Sequence, residues 1–386
     1  MTYQSDCTLP DDLLGHIAEG GLAALPEAIR LLLNAAMLLE RQKFIRAAPY
    51  ERRAARQAHA NGFKDKTLQT RLGALTVAVP QVREGGFYRQ SLEKGVRSER
   101  ALKLALAEMY VQGVSTRKVA AITEQFCGIE VSSAQVSRAA AELDAVLEAW
   151  RTRPLDTYPY VYLDARYEKV RQDGQVRDAA VLIASGVDTS GKRALLGVSV
   201  ALSEQEVHWR TFLQTLVERG LRGVQLLISD AHGGLKAARL AVFGGVPWQR
   251  CQFHLHQNAR AYVPRQELQQ EVASAIRAIF NAPHLNEAKR LLAETVQQYQ
   301  GVAPKLATWM EEQLPEGLMV FAFPEAHRRL IRTTNGLERV NQEIRRRTRV
   351  ARLFPNEASC LRLVTAVVME ISEEWETGKA YLTFRE

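Results

Sequence analysis

The stretch Tyr158-Pro-Tyr-Val-Tyr-Leu-Asp-Ala-Arg-Tyr-Glu-Lys-Val170 decides the architecture of this 386-residue chain, because helical periodicity gives way there to a long β-rich run. Two more such runs follow at once, Val176 to Val187 and Arg193 to Ala201. They are separated by Gln172-Asp-Gly174 and Ser190-Gly-Lys192, both turn-forming sequences. A helix is predicted next from about Glu204 to Arg219, then a buried strand Val224 to Ser229, a helix from about Gly234 to Val242 and a short strand Val246 to Arg250.

Three antiparallel strands, helix, strand, helix and strand is the order of a ribonuclease-H-like core. The sequence therefore predicts an α/β fold with a mixed sheet whose first and fourth strands are neighbours. Asp164 closes Tyr160-Val-Tyr-Leu-Asp164 and Asp230 closes Val224-Gln-Leu-Leu-Ile-Ser-Asp230, so two carboxylates are expected side by side at strand tips. A third, Glu338, lies in Thr334-Asn-Gly-Leu-Glu-Arg339, early in a helix predicted from about Asn335 to Arg349. Phosphodiester cleavage needs an activated oxygen nucleophile and a stabilised leaving oxygen, and a pair of divalent cations about 3.5–4 Å apart provides both. Mg²⁺ takes hard oxygen ligands, which makes Asp164, Asp230 and Glu338 the candidate catalytic and metal-binding set for two such ions. Each aspartate taken alone also fits a strand-end cap.

Beyond the fifth strand, residues 256–325 read as helix throughout. Val272, Ala275, Ile276, Ile279 and Phe280 form one apolar stripe and Leu291, Leu292 and Val296 another. This predicts an all-α insertion that splits the core into 154–255 and 326–386, with a closing helix after Pro355-Asn356 that ends near Trp375. On the Glu338 helix, Arg339, Asn341, Arg345, Arg346 and Arg349 are candidate DNA contacts. Arg345 and Arg349 share a face near Glu338 and Asn341. Nine arginines and no lysine between Arg328 and Arg352 favour bidentate phosphate contacts over a merely solvated helix with Glu338 and Glu343 as local ion-pair partners. Glu343 is an alternative third ligand. Cys251-Gln-Phe-His254 fits either a packed corner or an incomplete zinc site. His232 fits a helix cap, and Trp209 either a core anchor or a platform for an unpaired base.

Toward the N-terminus, residues 1–95 read as a helical, basic arm from about Leu9 to Arg56, followed by a short hairpin turning at Gly73 and a loop at Arg83-Glu-Gly-Gly-Phe87. Residues 96–153 read as helices Ala101 to Val111, Ser115 to Phe126 and Ser132 to Trp150, broken at Gly113 and Gly128. The last two have helix-turn-helix proportions with Ser115 and Ser132 as N-caps. Ser133, Gln135 and Arg138 are then placed to reach DNA, unless the three helices are only a packing unit.

The composition is that of a folded chain, with 46% hydrophobic and 24% charged residues. No apolar run approaches the ~18 residues of a membrane helix, and no secretory signal is visible, so the expected location is the cytoplasm. The cysteines Cys7, Cys127, Cys251 and Cys360 are too scattered to suggest a disulfide framework. Net charge is +8, but Arg41 to Arg71 and Arg328 to Arg352 each contribute +7, leaving the rest at −6. Positive charge gathered in two places points to a polyanionic partner.

The strings Tyr162-Leu-Asp-Ala-Arg-Tyr-Glu-Lys-Val-Arg171, Leu227-Ile-Ser-Asp-Ala-His-Gly-Gly-Leu235, Trp248-Gln-Arg-Cys-Gln-Phe-His254 and Arg332-Thr-Thr-Asn-Gly-Leu-Glu-Arg339 closely resemble the mutator-type bacterial insertion-sequence transposases. Asn61-Gly-Phe63, Thr70-Arg-Leu-Gly73, Gly113-Val-Ser-Thr-Arg117 and Arg345-Arg-Arg-Thr-Arg349 extend the likeness over nearly the full length, in the family's order. The resemblance implies a DDE transposase with an inserted helical domain, Asp164, Asp230 and Glu338 as ligands of Mg²⁺ or Mn²⁺, and Cys251 and His254 as a supporting C-x-x-H element. It also implies double-stranded DNA partners, namely terminal inverted repeats and target DNA, engaged by a homodimer or higher multimer. A structure-specific nuclease or resolvase, and a DNA-binding regulator without chemistry, are the rival readings.

Overall fold

The computed structural model describes residues 18–48, 51, 54–83, 86–87, 91–92, 100–349 and 353–384. The arm before residue 18, Arg52, Arg53 and Arg352 of the basic stretches, and Glu84 and Gly85 of the predicted loop lie outside them. The chain divides into two compact units, Met1–Leu143 and Asp144–Glu386. No described helix is long and apolar enough to cross a membrane.

In the first unit, α1 (Leu25–Ile45) starts with proline in its first turn, where a missing N–H costs nothing, and ends as Arg46 turns left-handed at φ 59°. The helix predicted to reach Arg56 therefore stops eleven residues early, and the returning chain bonds Gln57 N to Ile45 O at 3.1 Å. Strands β1 (Ala60–Thr70) and β2 (Gly73–Val82) form the expected hairpin, with Thr70 opposite Gly73. Met37 of α1 packs on Leu68, Val77 and Val79, and Asn34 Oδ1 accepts from Ala78 N at 2.9 Å. Helices α2 (Arg100–Val111), α3 (Thr116–Cys127) and α4 (Ser133–Ala141) enclose Leu102, Leu106, Val119, Ile129 and Val136. Ser115 caps α3, and Ser132 with Gln135 forms a reciprocal capping box on α4.

The helix predicted from Ser132 to Trp150 is two helices. After Ala141 the chain breaks, and α5 (Asp144–Thr152) begins within the second unit. The apolar residues face different partners: Val136 and Ala139 serve the first unit's core, whereas Trp150 packs against the second's. Arg362 grips Asp144 through two bonds of 2.6 and 2.7 Å.

The second unit is built on a five-stranded mixed sheet of order β5-β4-β3-β6-β7. Its strands are β3 (Tyr160–Gln172), β4 (Gln175–Val187), β5 (Arg193–Ala201), β6 (Leu226–Ser229) and β7 (Trp248–Arg250). The first three are antiparallel, while β6 and β7 join in parallel. Strand β6 starts two residues later than predicted because Gln225 N and Leu226 N both bond to Pro159 O.

Both faces of the sheet are covered, which is why these strands read as continuous apolar runs. On one face, Val161, Leu163, Leu182 and Leu196 meet Trp209, Phe212, Leu213 and Leu216 of α6 (Glu206–Glu218) and Leu235 of α7 (Gly233–Phe243). On the other, Tyr160, Tyr162, Val181 and Ile183 meet Ile331 of α12 (Glu325–Ile331), Leu337, Val340 and Ile344 of α13 (Asn335–Thr348), and Leu363, Val364 and Val367 of α14 (Glu357–Thr377).

Between β7 and α12 lies a helical body with its own core. Its main members are α8 (Gln252–Ala259), α9 (Gln269–Phe280), α10 (Leu285–Gln300) and α11 (Pro304–Gln313). Val272, Ile276, Ile279 and Phe280 meet Leu292, Val296, Leu306 and Met310 there, so both predicted stripes face inward. Helix begins at Gln252 rather than 256, directly on leaving the sheet.

The loop after β6 is fixed by one close approach. A Cβ on Gly234 would sit 2.1 Å from the Glu204 carbonyl oxygen, whereas one on Gly233 would meet nothing within 4 Å. Gly234→Ala is therefore expected to lower unfolding free energy by about 1–3 kcal/mol, and Gly233→Ala to be neutral or slightly stabilising. Urea denaturation of the two variants checks this, and equal effects would refute the assignment.

Candidate functional site

Strand β3 and helix α13 present matching stripes. Alternation on the strand sets Asp164, Arg166 and Glu168 on one side. Helical spacing sets Glu338, Asn341, Arg345 and Thr348 on one face. Asn341 Nδ2 donates to Asp164 Oδ2 at 2.8 Å, Arg166 donates to the Asn341 carbonyl and pairs with Glu168 at 2.6 Å, and Thr348 Oγ1 donates to Glu168 at 3.0 Å.

Asp230 reaches the same place through register. The parallel rung pairs Tyr162 with Ile228, and each aspartate follows two residues beyond it on its own chain. Asp230 Oδ1 accepts from Ala231 N at 2.6 Å, and Cys251 N binds Ser229 O at 2.8 Å, which draws the end of β7 alongside.

The charges of Asp230 and Glu338 both act on Asp164. Burial, together with the charges of Asp230 and Glu338, pushes Asp164 up to about 6, against the opposing pull of His254 and the Ala165 N–H. His254 is raised to about 9 by the Cys251 sulfur, helped by Asp230 and Asp164. Burial pushes the Cys251 thiol up, but His254 and Thr334 outweigh it and leave the group below its ordinary value. Thr334 donates to Cys251 Sγ through both its N–H and its hydroxyl, at 3.4 Å each. That hydroxyl makes no bond to its own helix, although Thr334 is the N-cap of α13. The threonine spends its cap on a tether from the Glu338 helix to the end of β7.

Among the described residues no three His, Cys, Asp or Glu side chains converge closely enough to hold a metal ion as they stand. The donor chemistry nevertheless suits a hard cation. Two aspartates and a glutamate offer only oxygen, and the proton affinity of Asp164 is raised first by burial and then by Asp230 and Glu338, a repulsion that a cation would offset. The Cys251 sulfur is buried and accepts from Thr334.

The other predicted residues separate clearly. Arg339, Arg345 and Arg349 are exposed. Arg346 is bound to Glu343 at 2.6 Å, and Arg347 is buried between Glu343 at 2.9 Å and Glu370 at 2.6 Å. These arginines hold the Glu343 carboxyl down at about 2 and tie it away from the aspartates. Asn341, expected to touch DNA, donates its side-chain amide to Asp164. Ser133, Gln135 and Arg138 are exposed on α4, but Gln135 Oε1 accepts from Ser132 N at 2.7 Å and so serves its own helix. Trp209 is fully buried and anchors the core, while His232 lies 3.6 Å from Glu204 at the head of α7. Arg166 and Glu168 were not singled out from the sequence. Their signal was the alternation that continues from Asp164.

Because the folded chain holds the Asp164 proton more tightly than an unfolded one, with about 6 against 3.8, this group destabilises the fold as pH rises from about 4 to 6 and fully above that. Asp164→Asn is expected to raise unfolding free energy by at most about 3 kcal/mol near pH 8 and by nothing near pH 4. Urea titrations in chelator at the two pH values measure it. A gain independent of pH would mean that the carboxyl is not under this strain.

Residues 16–378 match the family described as "Transposase, Mutator family". The chain is 58% identical over 370 residues, 95% of each chain, to the transposase for insertion sequence element IS406 of Burkholderia multivorans. It is 43% identical over 359 residues to the transposase for element ISRM5 of Rhizobium meliloti, covering 93% of this chain and 90% of that one. It is also 36% identical over 358 residues to the transposase for element IS256 in transposon Tn4001 of Staphylococcus aureus, covering 92% and 91%. With a match of that length and relatives of that similarity, the chain belongs to the Mutator family of transposases.

Proposed function

We propose that this protein is a DNA transposase that cleaves the ends of an insertion element and joins the freed 3′-hydroxyl to target DNA. The observation that best supports the reading is the register that sets Asp164 and Asp230 each two residues beyond the Tyr162–Ile228 rung, with the Glu338 helix tied to Asp164 through Asn341. On this reading the mixed sheet is a ribonuclease-H-like core and the helical body between β7 and α12 is its insertion. The strand order β5-β4-β3-β6-β7 supports that assignment. The three carboxylates are DDE ligands for two Mg²⁺ or Mn²⁺ ions, and the paired cations supply an activated oxygen nucleophile and charge stabilisation at the leaving oxygen.

The chain's own groups prepare that chemistry. Asn341 fixes one oxygen of Asp164, and Thr334 on Cys251 fixes where the Glu338 helix begins. His254 carries positive charge beside the aspartates and moderates their mutual repulsion. Arg339, Arg345 and Arg349 meet backbone phosphates, with Arg345 one turn from Asn341. In the first unit, α3 and α4 form the helix-turn-helix-like reader of the terminal inverted repeats, with Ser133 and Arg138 as its contacts. The active species is a homodimer or higher multimer that holds two element ends.

Asp230→Asn and Glu338→Gln are each expected to reduce cleavage of linear DNA carrying the element's ends by at least about a hundredfold while preserving DNA binding. Pre-cleaved ends supplied with Mg²⁺ should yield joined product with the wild-type chain. Cleavage without any joining would favour a nuclease, and undiminished activity in either variant would remove its carboxylate from the mechanism. Replacing Arg345 by alanine should lower the slope of log affinity against log salt by about 1, whereas Arg346→Ala should leave the slope unchanged.

A further inference from the structure

The helical body contains a cleft of about 750 Å³ that the carboxylate site does not use. Tyr262 and Trp309 are stacked there with ring centroids 5.4 Å apart at 25°. Trp309 is 7% exposed, whereas Tyr262 is 42% exposed and leaves much of its ring uncovered. Arg250, only 5% exposed, lines the same cleft. Its Nη1 donates to Gln313 at 2.7 Å and Glu316 at 3.0 Å, but its buried Nε–H has no acceptor among the described residues. A buried N–H left without a partner is costly, and a ligand oxygen would relieve it. Asn258, Lys305 and Glu312 supply further polar groups around the aromatic pair.

The cleft is linked to the carboxylates by one helix. His254, which senses Asp164 and Asp230, and Asn258 lie four residues apart on α8, about 6 Å along its axis. Tyr262 follows in the next turn. The cleft and the surroundings of the carboxylates thus share helix α8.

We propose that this cleft binds an unpaired nucleobase of the DNA strand engaged by the carboxylate site, an inference that rests on the reading of that site given above. The base stacks on Tyr262, with Trp309 stiffening the platform from behind. Arg250 Nε–H and the Asn258 amide meet oxygens on the base edge, Glu312 accepts from an N–H of that edge, and Lys305 meets the adjoining phosphate.

The test uses the full chain in chelator, so that nothing is cut, and two duplex probes carrying the element end. One is fully paired, and the other carries three unpaired thymidines beyond the cleavage position. Tyr262→Ala should weaken binding of the second probe about tenfold and leave the first unchanged, and Tyr262→Phe should bind both like wild type. With 5-iodouracil in the unpaired segment, wild-type protein should cross-link at Tyr262. Equal losses on both probes, no loss on either, or a cross-link elsewhere would overturn the proposal. These are binding measurements, so their failure is distinct from that of the carboxylate reading, which is decided by cleavage in the Asp230 and Glu338 variants.

Discussion

Strand β3 outlasts its neighbour. Its parallel bonding to β6 covers only Tyr160 to Tyr162, whereas its antiparallel bonding to β4 runs the full length to Gln172. Beyond Tyr162 one edge of a central strand is therefore released from the sheet, and backbone groups there need other partners. Phe354 takes part of that edge, bonding Lys169 O at 2.9 Å and Arg171 N at 2.8 Å. Between the end of β6 and Phe354 the strand presents Asp164, Arg166 and Glu168, and α13 lies against them. The site exists because two adjacent strands have unequal lengths. The chain leaving the shorter one deposits Asp230 at the step.

A step alone would leave α13 free to slide, and three interactions resist that. Cys251 holds Thr334 at the start of the helix, Asn341 holds Asp164 in its middle, and Thr348 holds Glu168 at its end. Asn341 and Thr348 are spaced to meet Asp164 and Glu168 along β3 while Thr334 is held beyond β7, so a displacement that satisfies one would break the others. Among the described residues the Glu338 side chain makes no comparable bond, and its position follows from the frame around it.

Much of this frame was legible because it depends on periodicity. β-Rich runs bounded by turn sequences located β3, β4 and β5, the apolar run predicted at Val224 to Ser229 located the parallel neighbour, and strand order then led to the expectation that Asp164 and Asp230 lie side by side. What escaped depends on choices among chemically equivalent partners. Arg346 and Arg347 stand in the same run as Arg345, yet one is held by Glu343 and the other buried against Glu370, a residue 23 positions away on another helix. The charge of an arginine run is visible in sequence, but which members are already neutralised is set by tertiary neighbours. The break after Ala141 was hidden for a related reason. Residues 132–150 carry continuous helix propensity, and only their division between two cores interrupts it.

The same limit hides the bond from Asn341 to Asp164. An asparagine in a basic helix has donors and acceptors suited to phosphate, and nothing local shows that its amide meets an aspartate 177 positions away. Helix α8 carries this coupling further. Gln252 binds Arg332 O through its N–H at 3.0 Å and Gly317 O through its side chain at 2.8 Å, while Leu255 and Ala259 are buried in the helical body. The segment leading to Glu338, the helix bearing His254 and the body containing the aromatic cleft are thus joined at one short element. A shift of the helical body must move His254 relative to the aspartates or break the Gln252 bonds, so the body acts as part of the site's frame rather than as an appendage to it.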